Sequence, residues 1–165
     1  MAIIDGLLQE MEQEAQATRR VLERVPEAHL AWKPHAKSYS LGQLALHTAQ
    51  VPGMVAELSL QSLDAPPAFV QESAKSSAEL IPALEASLAK ARTLLGGMDD
   101  AAMHAMWRLA IEGREVMALP RVALLRAIML NHWYHHRGQL TVYLRQLDVP
   151  VPSIYGPSAD ESPFA

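Results

Sequence analysis

Four stretches in which apolar residues recur at spacings of three and four dominate this sequence, and segments rich in proline or glycine separate them. This spacing places the apolar side chains on one face of an α-helix. Four such helices in a chain of 165 residues must bury their apolar faces against one another, which predicts an all-α four-helix bundle. We interpret residues 1–165 as a single domain. The predicted helices cover residues 3–25, 41–63, 77–95 and 120–147.

Residues at the helix ends support these boundaries. Pro26 ends the first helix, and Ser40 and Gln43 fit a capping box at the start of the second. A Gly-Gly pair stops the third helix, and Pro120 suits the first turn of the last one. Pro52 lies inside the second helix, where we expect it to kink the helix or loosen one turn.

Two segments do not fit the helical pattern. Residues 105–119 contain two short apolar runs on either side of Glu112-Gly113-Arg114, which fits a small hairpin or a plain loop equally well. Residues 148–165 carry four prolines and cannot be helical throughout. We expect them to form an extended tail across the bundle.

The absence of cysteine excludes several kinds of site. The chain can form no disulfide, no thiolate zinc site and no iron–sulfur cluster, and it has no cysteine nucleophile. Its formal net charge of −4 argues against DNA or an anionic membrane as partner. We recognise no signal peptide and no apolar run that could span a membrane, so we expect a cytoplasmic protein.

Three of the seven histidines occupy positions that the helical pattern otherwise fills with core residues. His132 and His136 lie one turn apart on the last helix and point the same way, and His47 lies on the apolar face of the second helix. A buried imidazole without a partner costs about 1–3 kcal/mol. Because one divalent ion would satisfy all three side chains, the sequence predicts a metal site at His47, His132 and His136.

The other candidate residues have simpler explanations. A single histidine on an apolar face is usually a core residue with an ordinary hydrogen-bond partner. Glu112, Glu115 and Arg137 are interpreted as solvent-exposed charges, so no general base is assigned. Gln43 and Gln139 can orient a metal ligand, although capping and surface roles are simpler for both. Structural roles are assigned to His29, His35, His104 and His135. Four aromatic residues could either line a pocket or belong to the core: Trp32, Tyr39, Trp107 and Trp133.

Three groups of sequence motifs resemble those of the DinB family of damage-inducible proteins. In the last helix, residues 131–140 read NHWYHHRGQL. Upstream, residues 32–34 read WKP and residues 38–47 read SYSLGQLALH. The ending at residues 150–158, PVPSIYGPS, is also typical of the family. The resemblance covers nearly the whole chain.

This resemblance implies a bundle with up-down-down-up connections, similar to the wider group of YfiT-like metalloenzymes. It also implies a divalent metal held by one histidine of the second helix and two of the last, roles that fall on His47, His132 and His136. Metals of the group include nickel, zinc, iron and manganese, and members often form homodimers. Distant relatives are S-transferases that use low-molecular-weight thiols.

We therefore expect a metal-dependent enzyme, either a thiol S-transferase acting on a small electrophile or a hydrolase. Three histidines leave positions open on a divalent ion, where the pKa of a bound water or thiol falls. A non-catalytic, metal-stabilised stress-response or binding module is the alternative. A helical dimer with buried, hydrogen-bonded histidines is a third interpretation.

Overall fold

A computed structural model describes residues 2–164, which are mostly helical. The long helices form where the apolar spacing predicts them, and shorter helical pieces and a two-stranded sheet lie between them. One-turn 3-10 helices lie at Glu27–His29 and Ser77–Glu79. The elements are α1 (Ile3–Leu22), α2 (Leu41–Leu58), α3 (Leu80–Leu95), α4 (Asp100–His104), β1 (Met106–Ile111), β2 (Arg114–Pro120), α5 (Arg121–Leu124) and α6 (His132–Gln146).

Helix α2 is the centre of the packing. It contacts α1, α3 and α6, and most of its residues are buried, whereas α1 and α3 each bury one face. The capping box that starts it is present: the Gln43 backbone N–H donates to Ser40 Oγ at 3.2 Å, and the Ser40 N–H donates to Gln43 Oε1 at 2.9 Å. Side chains of α2 therefore reach every neighbouring helix.

Helix α2 ends at Leu58, five residues before the predicted boundary. The Trp107 indole N–H donates to the carbonyl oxygens of Leu58 at 3.0 Å and Gln61 at 2.8 Å. Leu63 then pairs with β1, since its N–H donates to Arg108 O and its carbonyl accepts from the Ala110 N–H. Hydrogen bonds to the hairpin thus occupy backbone carbonyl and amide groups that a longer α2 would need for its own helical hydrogen bonds.

The all-α prediction holds only in part, because residues 106–120 form a hairpin and the chain is therefore mostly helical rather than strictly all-α. Strands β1 and β2 pair antiparallel, which confirms the hairpin alternative over the loop. Glu112 and Gly113 connect them with φ angles of 51° and 76°, the positive values that a tight two-residue hairpin turn requires. With this insertion the fold is not a clean four-helix bundle, and the up-down-down-up order stays a prediction.

The last helical segment is not a regular α-helix throughout. Helix α5 continues through a π-helical stretch, Leu125–Asn131, into α6. After this wider coil the buried residues are Trp133, Arg137, Leu140 and Leu144, so His132 and His136 lie at the edge of the buried face. The sequence pattern places both in core positions of this helix, whereas the structure leaves them half-buried.

The C-terminal tail, residues 148–164, contains neither helix nor strand and lies against α1 and α6. Arg20 donates to the Ser153 carbonyl at 2.9 Å, and Arg20 and Arg24 both pair with Glu161. These contacts hold the tail against the first helix, while its extended course and the assignment of the chain to one domain stay predictions. None of the helices described in residues 2–164 is long and apolar enough to cross a membrane.

Candidate metal centre

Three histidine side chains from two helices meet on one side of α2. His47 lies in the first half of α2 and is buried, and the half-buried His132 and His136 lie in the first two turns of α6. One ring nitrogen from each lies within 4.8 Å of the others. The structure thus brings together the three histidines selected from the sequence, and their binding of a metal stays a prediction.

Pro52 helps to hold α6 against α2. Proline has no backbone N–H, so the Thr48 carbonyl, four residues earlier, has no helical donor. The Trp133 indole N–H donates to this carbonyl at 2.8 Å, so the residue after His132 is bonded to the residue after His47. Helix α2 continues through Pro52, and the carbonyl that the proline leaves free connects the two helices that carry the histidines.

The hydrogen bonds of His132 and His136 leave one nitrogen of each ring free. His132 Nδ1 lies 3.2 Å from the Ile128 carbonyl, and His136 Nδ1 lies 2.7 Å from Gln139 Oε1. Both partners are acceptors, so we assign a proton to each Nδ1 and a lone pair to each Nε2. The two Nε2 atoms are 2.6 Å apart. Two facing lone pairs repel each other unless a cation lies between them. The unprotonated histidine nitrogens are therefore suited to coordinate a metal ion.

The Gln71 side chain lies close to His47 and can supply a hydrogen-bond acceptor. Its Nδ1 and Gln71 Oε1 are both buried without a hydrogen-bond partner in the described part of the chain. Gln71 is 9% exposed, and its carbonyl accepts from Gln43 Nε2 at 3.1 Å, so the capping box also positions this loop residue. With the His47 proton on Nδ1, this atom could donate to Gln71 Oε1, which would leave His47 Nε2 for a metal.

Burial keeps the three imidazoles neutral. Desolvation lowers the pKa of His47 to about 4, with further lowering from His136 and His132 and an opposing contribution from Gln71. Desolvation also lowers the pKa of His132 and of His136. Neutral imidazole is the form that binds metals, so the cluster keeps its ligand form below the pH at which a free histidine becomes protonated.

Acidification is expected to destabilise the metal-free protein, starting near the unfolded-state histidine pKa of about 6.5. A lowered folded-state pKa means that the folded chain binds fewer protons, so the stabilisation present above pH 6.5 is lost as the pH falls towards about 4. Urea unfolding midpoints between pH 7 and pH 4 measure this loss. His47→Leu should reduce the pH dependence, and the exposed His35→Leu should not; equal slopes in all three proteins would contradict the expectation.

A cavity of about 360 Å³ opens beside the histidines. Its other lining residues are Tyr39 and a set of apolar side chains, so of the four aromatic residues considered from the sequence only Tyr39 reaches it. The ring of Phe69, in the loop before α3, stands edge-on to His47 with centroids 5.5 Å apart. The apolar lining residues are Met54, Val55, Leu58, Pro67, Phe69 and Ile128.

The remaining candidates lie away from the cavity. Glu112 and Glu115 are exposed on the hairpin, where Glu115 pairs with Arg108. The interpretation of Arg137 as a solvent-exposed charge is wrong, because this side chain is 2% exposed and pairs with Glu14 on α1. The four other histidines are exposed and lie outside the cluster: His29, His35, His104 and His135.

Comparisons with known proteins agree with the motifs and the fold. A family model described as the DinB family matches residues 3–163. The chain belongs to the DinB family. It is 30% identical over 160 residues to YrdA, an uncharacterized protein of Bacillus subtilis strain 168, covering 96% of this chain and 91% of YrdA.

Two solved DinB-like structures share the fold. One, from Bacillus cereus ATCC 10987, superposes with a TM-score of 0.70 at 20% sequence identity. The superposition covers 92% of this chain and 97% of the Bacillus cereus chain. The other, YjoA from Bacillus subtilis, superposes with a TM-score of 0.67 at 18% sequence identity. The superposition covers 90% of this chain and 96% of the YjoA chain. At these identities the likeness concerns the fold, and the histidine cluster is the feature of this DinB protein that bears on function.

Proposed function

We propose that this DinB protein binds one divalent metal ion through His47, His132 and His136 and acts as a metal-dependent enzyme. The observation that carries the proposal is the pair of Nε2 atoms of His132 and His136, which face each other at 2.6 Å while both Nδ1 atoms face acceptors. The adjacent cavity supports a catalytic role, because it gives a substrate access to the histidines.

Three histidine ligands limit the candidate metals but do not select one of them. Neutral imidazoles suit nickel, zinc and iron, and manganese completes the set of candidates from the family resemblance. Three protein ligands leave room for a further molecule, and the bound ion would lower the pKa of a water or thiol there.

We propose thiol S-transfer or hydrolysis as the reaction. Since the chain contains no cysteine, transfer needs an external low-molecular-weight thiol and a small electrophile. We also propose that the protein is a cytoplasmic homodimer and that it contacts neither nucleic acid nor membrane.

A non-catalytic, metal-stabilised stress-response module is the second candidate. Its support is that the cluster joins α2 to α6, so that a bound ion would hold the two helices together. A fourth protein ligand closing the ion's coordination would favour this candidate. An exchangeable water at that position would favour the enzyme.

Metal analysis of untagged protein tests the proposal. We expect about one divalent ion per chain, and anomalous diffraction should place it among the three histidine rings. Growth with each of the four metals in turn identifies the preferred ion. Protein that contains less than about a tenth of an ion per chain under every condition, and takes up none on titration, would contradict the proposal.

Gln71→Leu is expected to weaken metal binding by about 10-fold to 100-fold, the usual cost of losing the partner of a metal-bound histidine. The change removes the acceptor beside His47 Nδ1 and keeps the Gln71 backbone carbonyl that Gln43 holds. Competition with a chelating dye measures the affinity. Gln146→Leu, an exposed glutamine on α6, is the matched control, and equal affinities of the two variants would refute the role of Gln71.

A further inference from the structure

The cavity beside the histidines has almost no polar lining. Apart from the three imidazoles, the phenol of Tyr39 is its only polar side chain among the residues described, and no carboxylate, ammonium or guanidinium group lines it. The apolar walls come from α2, from the loop before α3 and from the π-helical stretch. Its chemistry is therefore that of an apolar pocket with a nitrogen cluster at one side.

Such a lining selects against charged ligands. A carboxylate or ammonium that enters an apolar cavity loses its hydration and, in this lining, finds no side chain of opposite charge. The part of a ligand that lies between Leu58, Phe69 and Ile128 must therefore be neutral. Any charged group of the same molecule must stay outside the cavity mouth.

The size of the cavity and its rim indicate what fits. A volume of about 360 Å³ is more than twice the roughly 150 Å³ of an engineered apolar cavity that binds benzene. Phe69 is 48% exposed although its ring lies against His47, so a large apolar surface stands uncovered at the site. A ligand in the cavity would cover that surface and gain the free energy of its burial.

We propose that this cavity binds the neutral, apolar part of a small-molecule substrate, an alkyl chain or a single aromatic ring, with its polar end towards the three histidines. In the S-transfer reaction this molecule is the electrophile rather than the charged thiol. The assignment of the polar end rests on the proposed metal function. The preference for an apolar tail rests on the lining and can be tested without metal.

Binding of short alcohols to the metal-free protein tests the tail preference. We expect nuclear magnetic resonance titrations with 1-butanol, 1-pentanol and 1-hexanol to show Kd falling about fourfold for each added methylene. The hydroxy acid 6-hydroxyhexanoate has the same chain length but a charge at the far end. It should bind at least about tenfold more weakly than 1-hexanol, because either orientation places a polar or charged end in the apolar region.

Two neighbouring loop residues supply the matched variants. Phe69→Ala removes the rim of the cavity and should raise the Kd of 1-hexanol by about fivefold to tenfold, and Phe69→Leu should restore most of the affinity. Val70→Ala should leave the Kd unchanged, because Val70 is 86% exposed and does not line the cavity.

Two outcomes would overturn the inference: a Kd that does not change with chain length, or equal losses from Phe69→Ala and Val70→Ala. Titrating the same protein with zinc or nickel keeps the two proposals distinguishable. Metal binding without a chain-length dependence refutes the apolar substrate only. A chain-length dependence without metal binding supports the apolar pocket and refutes the metal function.

Discussion

Replacing His132 by alanine is expected to lower the metal content of the purified protein from about one ion per chain to a trace. Losing one of three proposed ligands must cost more affinity than the 10-fold to 100-fold typical of losing a supporting residue. The same result is expected for His47→Ala and His136→Ala, because one nitrogen from each ring reaches the common centre. Mass spectrometry of the metal and calorimetric titration measure the content and the affinity.

His135→Ala is the matched control. Its ring lies 5.1 Å from that of His136 on the same helix, yet it is exposed and does not belong to the cluster. Added metal at about 1,000 times its Kd should stabilise the wild type and this control by about 4 kcal/mol and should not stabilise the three ligand variants. An equal loss of metal in His135→Ala, or full metal content in His132→Ala, would contradict the assignment of the ligands.

Helices were predictable where the interactions that define them are close in sequence. The capping box of Ser40 and Gln43 and the apolar spacing of α1 and α3 are local patterns, and all three occur as expected. The end of α2 is not a local property. Trp107 takes up the carbonyls of Leu58 and Gln61 from almost 50 residues away, and no pattern within the helix indicates this contact.

The convergence of the three histidines was predictable even though the buried face of the last helix was misplaced. The π-helical stretch before His132 alters the angle between successive residues, so a constant 100° per residue misplaces the buried face of α6 by one position. His132 and His136 still share a direction, because four residues within one regular helix stay one turn apart whatever precedes them. The relation within the pair is local, whereas its depth of burial depends on the packing.

The two functional candidates that the sequence did not indicate lie in the loop between α2 and α3. Gln71 beside His47 and Phe69 at the cavity rim belong to a segment without helical or strand periodicity. The contact of the Gln71 carbonyl with Gln43 places this loop, and it joins residues 28 positions apart. A capping residue that also holds a distant loop has the same local signature as one that does not.

Arg137 shows a different limit of the sequence pattern. It follows His136 and is almost fully buried, with its guanidinium 2.6 Å from the carboxylate of Glu14 and also bonded to the Tyr155 hydroxyl. It donates to the Glu14 carbonyl at 3.0 Å, and the rings of Tyr134 and Tyr155 each lie 5.2 Å from it. Arg137 thereby joins α6 to α1 and to the tail, and its charge is satisfied within the protein.

Arg137→Met is expected to lower the free energy of unfolding by about 3–5 kcal/mol, because removing one partner leaves the Glu14 carboxylate without its cation. Arg126→Met is the matched control: Arg126, in the π-helical stretch, pairs with Glu10 on α1, but these side chains are 44% and 32% exposed, and the pair should contribute about 0–1 kcal/mol. Urea unfolding of the metal-free proteins measures both. Equal losses would contradict the role of burial.

The double variant Glu14→Gln with Arg137→Met separates the ion pair from simple loss of packing. If the single losses come from an uncompensated buried charge, removing both charges should cost less than the sum of the two single changes. Additive losses would show that packing dominates. Metal content gives an independent readout, because Arg137 faces α1 whereas the histidines face the cavity with α2. The folded double variant should therefore still bind metal. Loss of metal binding in this variant would mean that the ion pair also positions His136.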